Sequence, residues 1–136
     1  MTSVFGVSAL KAALDGILAK TQVASVQIVK RGQVVVESAA KKQFTGSHKQ
    51  GEPTTSAPGS PPDVVTGTLR RGITSSPVSM RGFAAVGSIY PTAVYSRIQE
   101  LGGGHLPARP YMQPAYDQSI DKLRGIAEQE WATATH

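Results

Sequence analysis

Val23 to Phe44, VASVQIVKRGQVVVESAAKKQF, is the stretch on which the fold turns. Its valines and isoleucine favour strands, and Lys30-Arg31-Gly32 could turn a hairpin between two of them. Read with a helical period, Val26, Val29, Val36 and Ala40 form one apolar stripe, interrupted by Gln33. Ile28, Val35 and Ala39 form a second stripe beside it. The run closes on Glu37-Ser38-Ala39-Ala40-Lys41-Lys42, which is strongly helical in character. Helix is the expectation, and two stripes imply burial on more than one side: against the chain's own sheet and against a neighbouring subunit.

Upstream, Val7, Leu10, Leu14, Ile17 and Leu18 recur at intervals of three and four, which predicts an amphipathic helix from about Ser8 to Lys20 with Lys11, Asp15 and Lys20 opposite. Downstream, TGSHKQGEPTTSAPGSPPDVVT, at about 45–66, is dominated by Gly, Pro, Ser and Thr and reads as a long exposed loop. Loops of that length are commonly binding elements or linkers. ITSSPVSM and FAAVGSIY, separated by Arg81 and Gly82, suggest an antiparallel pair of strands with Pro77 at an edge or a bulge. PTAVYSRIQELGGG reads equally as a short helix or a third strand. In the last segment Pro114 suits a first helical position and Asp117 and Asp121 suit a helix N-terminus. There Tyr116, Ile120, Leu123, Ala127 and Trp131 make a stripe expected to be buried. The fold class is therefore α+β: a long N-terminal helical region, a small antiparallel β-sheet, a C-terminal helix and a long Pro/Gly/Ser-rich loop.

The 136 residues fit one domain, 1–136, with a modest core. Hydrophobic residues make up 40% and aromatics only 6%, with abundant Gly and Pro, so a small core with long connections is expected. No apolar run is long enough to span a membrane, and MTSVFGVSALK lacks the pattern of a signal peptide, which predicts a soluble protein that stays where it is made. The absence of cysteine excludes disulfides and thiolate metal sites. A net charge of +5 points to an acidic partner such as DNA, a membrane surface or an acidic protein. Arg70 and Arg71, with Lys41 and Lys42, are the candidates for a surface facing DNA.

Catalytic constellations do not emerge. Gly102 to Gly104 lacks the Lys-Ser or Lys-Thr of a phosphate loop, and the serines lack an elbow or a base. His48, His105 and His136 show no ligand spacing. Glu100 with His105, and Asp117 with Asp121, read as surface and helix-end polarity before acid–base pairs. No enzyme, cofactor or metal is expected.

Four segments in fixed order carry a resemblance. IVKRGQVVVESAAKKQF, SPPDVVTGTLRRGI, YSRIQELGG and PARPYMQPAYD together resemble the small tail-component family of long-tailed bacteriophages with non-contractile tails, the neck or tail-completion proteins. Family features matched are a long helix ending in an Ala-Lys-rich turn, a Thr-Gly-x-Leu-Arg-x-x-Ile motif, a Tyr-Ala-Arg-x-x-Glu-Phe-Gly segment and a Pro-Ala-Arg-Pro-Phe-x-x-Pro-Ala element. Ser96 replaces a common alanine, Leu101 and Tyr111 replace phenylalanines, and the loop before Pro61 is long.

The resemblance implies a helix through Val23–Phe44 and a non-enzymatic virion protein of the neck, assembled in the host bacterial cytoplasm. It implies a ring of identical subunits, with a hexamer favoured over a dodecamer, which joins head to tail around double-stranded DNA and contacts adjacent head-tail connector and tail tube proteins. A tail terminator ring capping the tail tube is the alternative of the same class. A basic DNA-binding protein acting alone, and a small hydrolase, are alternatives of other classes. Subunit contacts are expected at Ile28, Val35, Pro61, Pro62, Arg70, Arg71 and Arg109. Structural roles are expected for Leu69, Tyr95, Glu100 and Gly102; for Thr66 and Gly67 in the turn from loop to strand; and for Pro107, Pro110 and Pro114 along the path into the last helix. Arg109 is expected to pair with a carboxylate such as Glu100, so that Arg109→Ala would weaken folding or assembly.

Overall fold

The computed structural model describes residues 2–135, which leaves His136 outside the described residues. The fold is α+β. Helix α1 runs unbroken from Thr2 to Lys42, absorbing both predicted N-terminal helices. A single helical turn, α2 (Thr68–Arg71), leads into strands β1 (Ile73–Ser75), β2 (Ser79–Arg81), β3 (Ala84–Val86) and β4 (Ile89–Pro91). Helix α3 (Ser96–Leu101) and helix α4 (Met112–Thr135) follow, so PTAVYSRIQELGGG takes its helical alternative.

Why Val23–Phe44 is helical despite its valines is visible at Gly32. It is not a hairpin turn but a point of close approach between α1 and α4, where an added Cβ would stand 3.1 Å from Leu123 Cδ2. The helices run antiparallel. Gln43 donates to Gln118 at 3.0 Å near one end, and Arg31 pairs with Glu130 at 2.9 Å further along. Tertiary packing along α4 thus outweighs the strand propensity of the β-branched residues.

The stripe Ile28, Val35 and Ala39, expected to meet a neighbouring subunit, is half-buried within the chain and faces α4. Val35 and Ala39 stand beside Ser119 of α4, and Ile28 lines a groove whose far wall is α4. The core gathers at the opposite end of α1 from the N-terminus: Ala40, Phe44, Leu69, Ile73, Tyr111 and Ala115 are all buried.

At 1.5 Å per residue the 41 residues of α1 extend about 60 Å and the 24 of α4 about 36 Å. Helix α4 therefore stops beside Ala19 to Ala24, and the first turns of α1 project beyond it. Val7, Leu10, Leu14, Ile17 and Leu18, an ordinary core-facing stripe by sequence, are between 42% and 67% exposed.

The α4 expectations need adjusting by one position. Its buried residues are Ala115 and Ser119, while Tyr116 and Trp131 are exposed. Pro114 is the third residue rather than the first, which the helix tolerates because the first-turn N–H groups have no intrahelical acceptor. No acidic residue lies in the first turn, so Asp117 and Asp121 do not serve the helix N-terminus.

The hairpin forms as two short antiparallel ladders. β1 pairs with β4 (Ile73 opposite Pro91, Ser75 opposite Ile89), and β2 pairs with β3 (Ser79 opposite Val86, Arg81 opposite Ala84). Pro77 falls in the break between them, where a missing N–H costs no ladder bond. Gln33, the polar interruption in an apolar stripe, is explained here. Its side-chain amide donates to the carbonyls of Ser76 at 3.0 Å and Ser88 at 3.1 Å, on both sides of the break. Gly87 allows that approach, since a Cβ there would meet Gln33 and Val29 within 3 Å.

Candidate functional site

The four segments that carry the resemblance meet at one end of the molecule. Phe44 from the end of the first segment, Leu69 and Ile73 from the second, and Tyr111 and Ala115 from the fourth share the buried core, and the third contributes the buried Ser96. Phe44 and Tyr111 pack ring on ring, centroids 5.1 Å apart and tilted by 55°, an arrangement that favours ring edges against faces. Thr66, Gly67, Leu69 and Tyr95 line one small cleft over this core.

Glu100 ties the junction together. Its Oε2 accepts the backbone N–H groups of Tyr111 at 2.8 Å and Met112 at 3.0 Å, and its Oε1 accepts that of Gln113 at 3.0 Å. A carboxylate from α3 thereby caps α4, satisfying its unpaired donors and meeting the positive end of its dipole. The expected Arg109–Glu100 pair does not form, because Glu100 is committed to the cap. Arg109 instead donates from its backbone N–H to the Gln99 carbonyl at 2.6 Å and from Nε to the Ser56 carbonyl at 3.3 Å. Arg109 is thus a strap between the long loop and the path into α4.

Two glycines of the motifs are required by their backbone. Gly67 sits at φ +79°, and the turn it makes opens α2 rather than leading straight to a strand. Gly102 sits at φ +76°, ψ +166°, a conformation nearly reserved for glycine, and a Cβ there would stand 2.9 Å from the Ala108 amide nitrogen. Pro107 is exposed, whereas Pro110 and Pro114 are half-buried along the approach to α4.

The long loop is solvent-exposed over most of its length but pinned, and its hub is a residue that sequence reasoning passed over. Oδ2 of Asp63 accepts from the Thr55 N–H at 2.7 Å, Thr55 Oγ1 at 2.8 Å and Thr54 Oγ1 at 3.0 Å, and bonds His48 Nδ1 at 3.0 Å. Desolvation pushes this carboxyl up, but the bonds from Thr55, His48 and Thr54 outweigh it and hold it well below the usual carboxylate range. Gly59 N–H donates to Ala108 carbonyl at 2.8 Å, fastening the loop tip. Pro62 is buried and Pro61 half-buried in this arrangement. An acid at the end of a threonine-containing loop, with a histidine fifteen residues earlier, was the available signal.

Beside the junction lies a basic rim. Lys41, Lys42 and Arg70 surround a depression of about 390 Å³ with Glu37 between them, and Arg71 is exposed nearby. Lys41 pairs with Glu37 at 2.8 Å, and Ser75 Oγ donates to the other carboxylate oxygen at 2.7 Å. The Lys41 bond first, then that of Ser75, lowers the Glu37 carboxyl from its ordinary value. Lys42, Arg70 and Arg71 form no ion pair among the described residues. The structure therefore brings together the cations from two segments of the chain that charge alone singled out.

Among the described residues no cluster of His, Asp and Glu is arranged to hold a metal ion, and no helix is long and apolar enough to cross a membrane. His105 stands exposed in the turn after α3, away from any base partner, with Glu100 occupied by the cap. No known family, curated protein or solved structure that was compared matches the chain.

Proposed function

We propose that this chain is a non-enzymatic structural subunit of a bacteriophage neck, acting as a ring of identical copies that joins head to tail around the DNA. The single observation that supports the reading most is the convergence of the four motif segments on one junction, centred on Phe44, Tyr111 and the Glu100 cap. The residues most constrained there, Gly102, Glu100 and Tyr111, serve architecture: a turn, a cap and a core contact.

The basic rim gives the ring reading a place for DNA. Lys42, Arg70 and Arg71 would meet the phosphate backbone without reading sequence, as a channel lining requires. The same rim favours a second reading, an autonomous DNA-binding protein. Three unpaired cations release few counterions, so the isolated protein should bind duplex DNA negligibly at physiological salt.

Electron microscopy of particles carrying a tagged copy tests the assignment. Density for the tag encircling the head-tail joint is expected, with heads and tails separate when the protein is withheld. Particles in which the tag lies elsewhere, or is missing, would overturn it. Tight, steeply salt-dependent binding of the purified chain to DNA would favour the second reading.

A further inference from the structure

Two apolar surfaces lack a partner among the described residues. One is the arm of α1, residues 7–18, whose stripe Val7, Leu10, Leu14, Ile17 and Leu18 is exposed. The other is an open groove of about 520 Å³ between the middle of α1, the base of the hairpin and the first half of α4. Its apolar walls include Ile28, Val36, Ile89, Met112, Tyr116 and Leu123.

We infer that the arm of one copy docks in the groove of a second copy, joining subunits head to tail. The arm cannot reach its own groove, because α1 continues as unbroken helix from the arm to Ile28 and carries the arm away from it. The dimensions agree. Val7 to Leu18 spans about 16 Å of helix, and the α1 wall from Ile28 to Val36 about 12 Å, so two to three turns of the arm fill the groove.

Charge agrees as well. Lys11 on the arm and Lys20 just past its end outnumber the arm's one acid, Asp15, so the polar side of the approaching helix is net positive. On the groove's rim Asp117 accepts a hydrogen bond from Gln113, itself a lining residue, at 3.0 Å, and Asp121 follows one turn later. Neither aspartate makes an ion pair among the described residues. Opposite charges flanking an apolar contact fix its register and direction.

One arm and one groove per copy define a heterologous contact, which closes into a ring when the rotation between copies permits. A three-turn arm covers less than the roughly 800 Å² per partner of a standard interface. A single contact is therefore weak, and closure, which gives every copy two, is what stabilises the assembly. This deepens the ring reading and rests on it only for closure. The contact itself does not depend on where in a virion the ring sits.

The absence of cysteine makes a direct test available. L14C and Y116C alter exposed side chains on the arm and the groove rim, and unchanged circular dichroism confirms that both fold. Under mild oxidation of an equimolar mixture, disulfide-linked L14C:Y116C pairs are expected to dominate over either homodimer. In sedimentation velocity, L10S/L14S and Y116K should each lose the closed oligomer of the parent chain, and their mixture should not regain it, because one intact arm and one intact groove cannot close a ring. Dominant L14C:L14C linkage would mean that arms pair with arms, and would overturn the proposal. So would a parent chain that stays monomeric, or whose arm drives it only onto anionic phospholipid vesicles. Absence of the protein from phage necks with the mixed linkage intact would remove the neck reading and leave this contact standing.

Discussion

The Glu100 carboxylate accepts the Tyr111 amide at 2.8 Å, so the last turn of α3 holds the first turn of α4. A cap ordinarily comes from the residue just before its helix. Here it comes from eleven residues upstream, and one side chain fixes both the start of α4 and the position of α3. Glu100→Ala should lower stability by about 1–2 kcal/mol, the range for losing a cap that carries charge. Glu100→Gln, which keeps an acceptor oxygen, should lose about half of that. Urea denaturation checks both, and equal losses would mean that the capping geometry contributes nothing.

Tyr111 is fully buried and its hydroxyl has no well-formed hydrogen-bond partner. Burial first, then the nearby Glu100 charge, pushes the phenol up to about 12, with the adjacent Ser96 opposing the shift weakly. The neutral form is the one that fits. Its contribution to stability is complete below the ordinary phenol value near 10 and is lost as pH rises through the folded-state value. Tyr111→Phe, the residue of the resembled family at this position, should raise stability by about 1 kcal/mol by removing an unsatisfied polar group. It should also flatten the decline in melting temperature above pH 10.

Asp63 predicts the opposite pH response. Because its carboxyl is held below the ordinary 3.8, the loop's anchoring is complete above that value and is lost as pH falls beneath it. The amide proton of Thr55, which donates to Asp63, should keep its NMR shift as pH falls through the ordinary carboxylate range near 4, where a free aspartate titrates, and move only well below it. Asp63→Asn should speed tryptic cleavage after the exposed Lys49 at neutral pH. A Thr55 shift that titrates near pH 4, or an Asp63→Asn chain cleaved no faster than the parent, would remove Asp63 from its place as hub.

Gln33→Leu would complete the apolar stripe and, judged by hydrophobic pattern alone, should stabilise α1. The structure predicts a loss of about 1–2 kcal/mol, because the carbonyls of Ser76 and Ser88 lose the amide that bridges them. Gln33→Glu should be worse, setting a carboxylate against two carbonyl oxygens. Thermal unfolding monitored in the far ultraviolet measures both.

What could be read along the chain depended on the range of the interaction. The helical period of Val23–Phe44, the paired strand segments and the amphipathic C-terminal segment are local patterns, and each became the corresponding element. Pro77 at a break and Gly67 at a positive φ follow from the backbone of those residue types. Partner choice did not follow. Arg109 and Glu100 looked like a natural ion pair, yet the unpaired N–H groups of α4 compete for the same carboxylate from a position set by the Gly102 turn. Nor did pattern reveal that α4 is too short to cover the Val7–Leu18 stripe, since that depends on where two helices distant in sequence come to lie side by side.

The unequal lengths of α1 and α4 also have a mechanical consequence. Packing against α4 and the hairpin holds α1 from about Ala19 to Lys42, and the turns before Ala19, roughly 25 Å of helix, stand free. A bend of about 10° where α4 ends would carry the tip through roughly 4 Å without disturbing the core around Tyr111. The free turns therefore swing as a short lever whose pivot is the C-terminal end of α4.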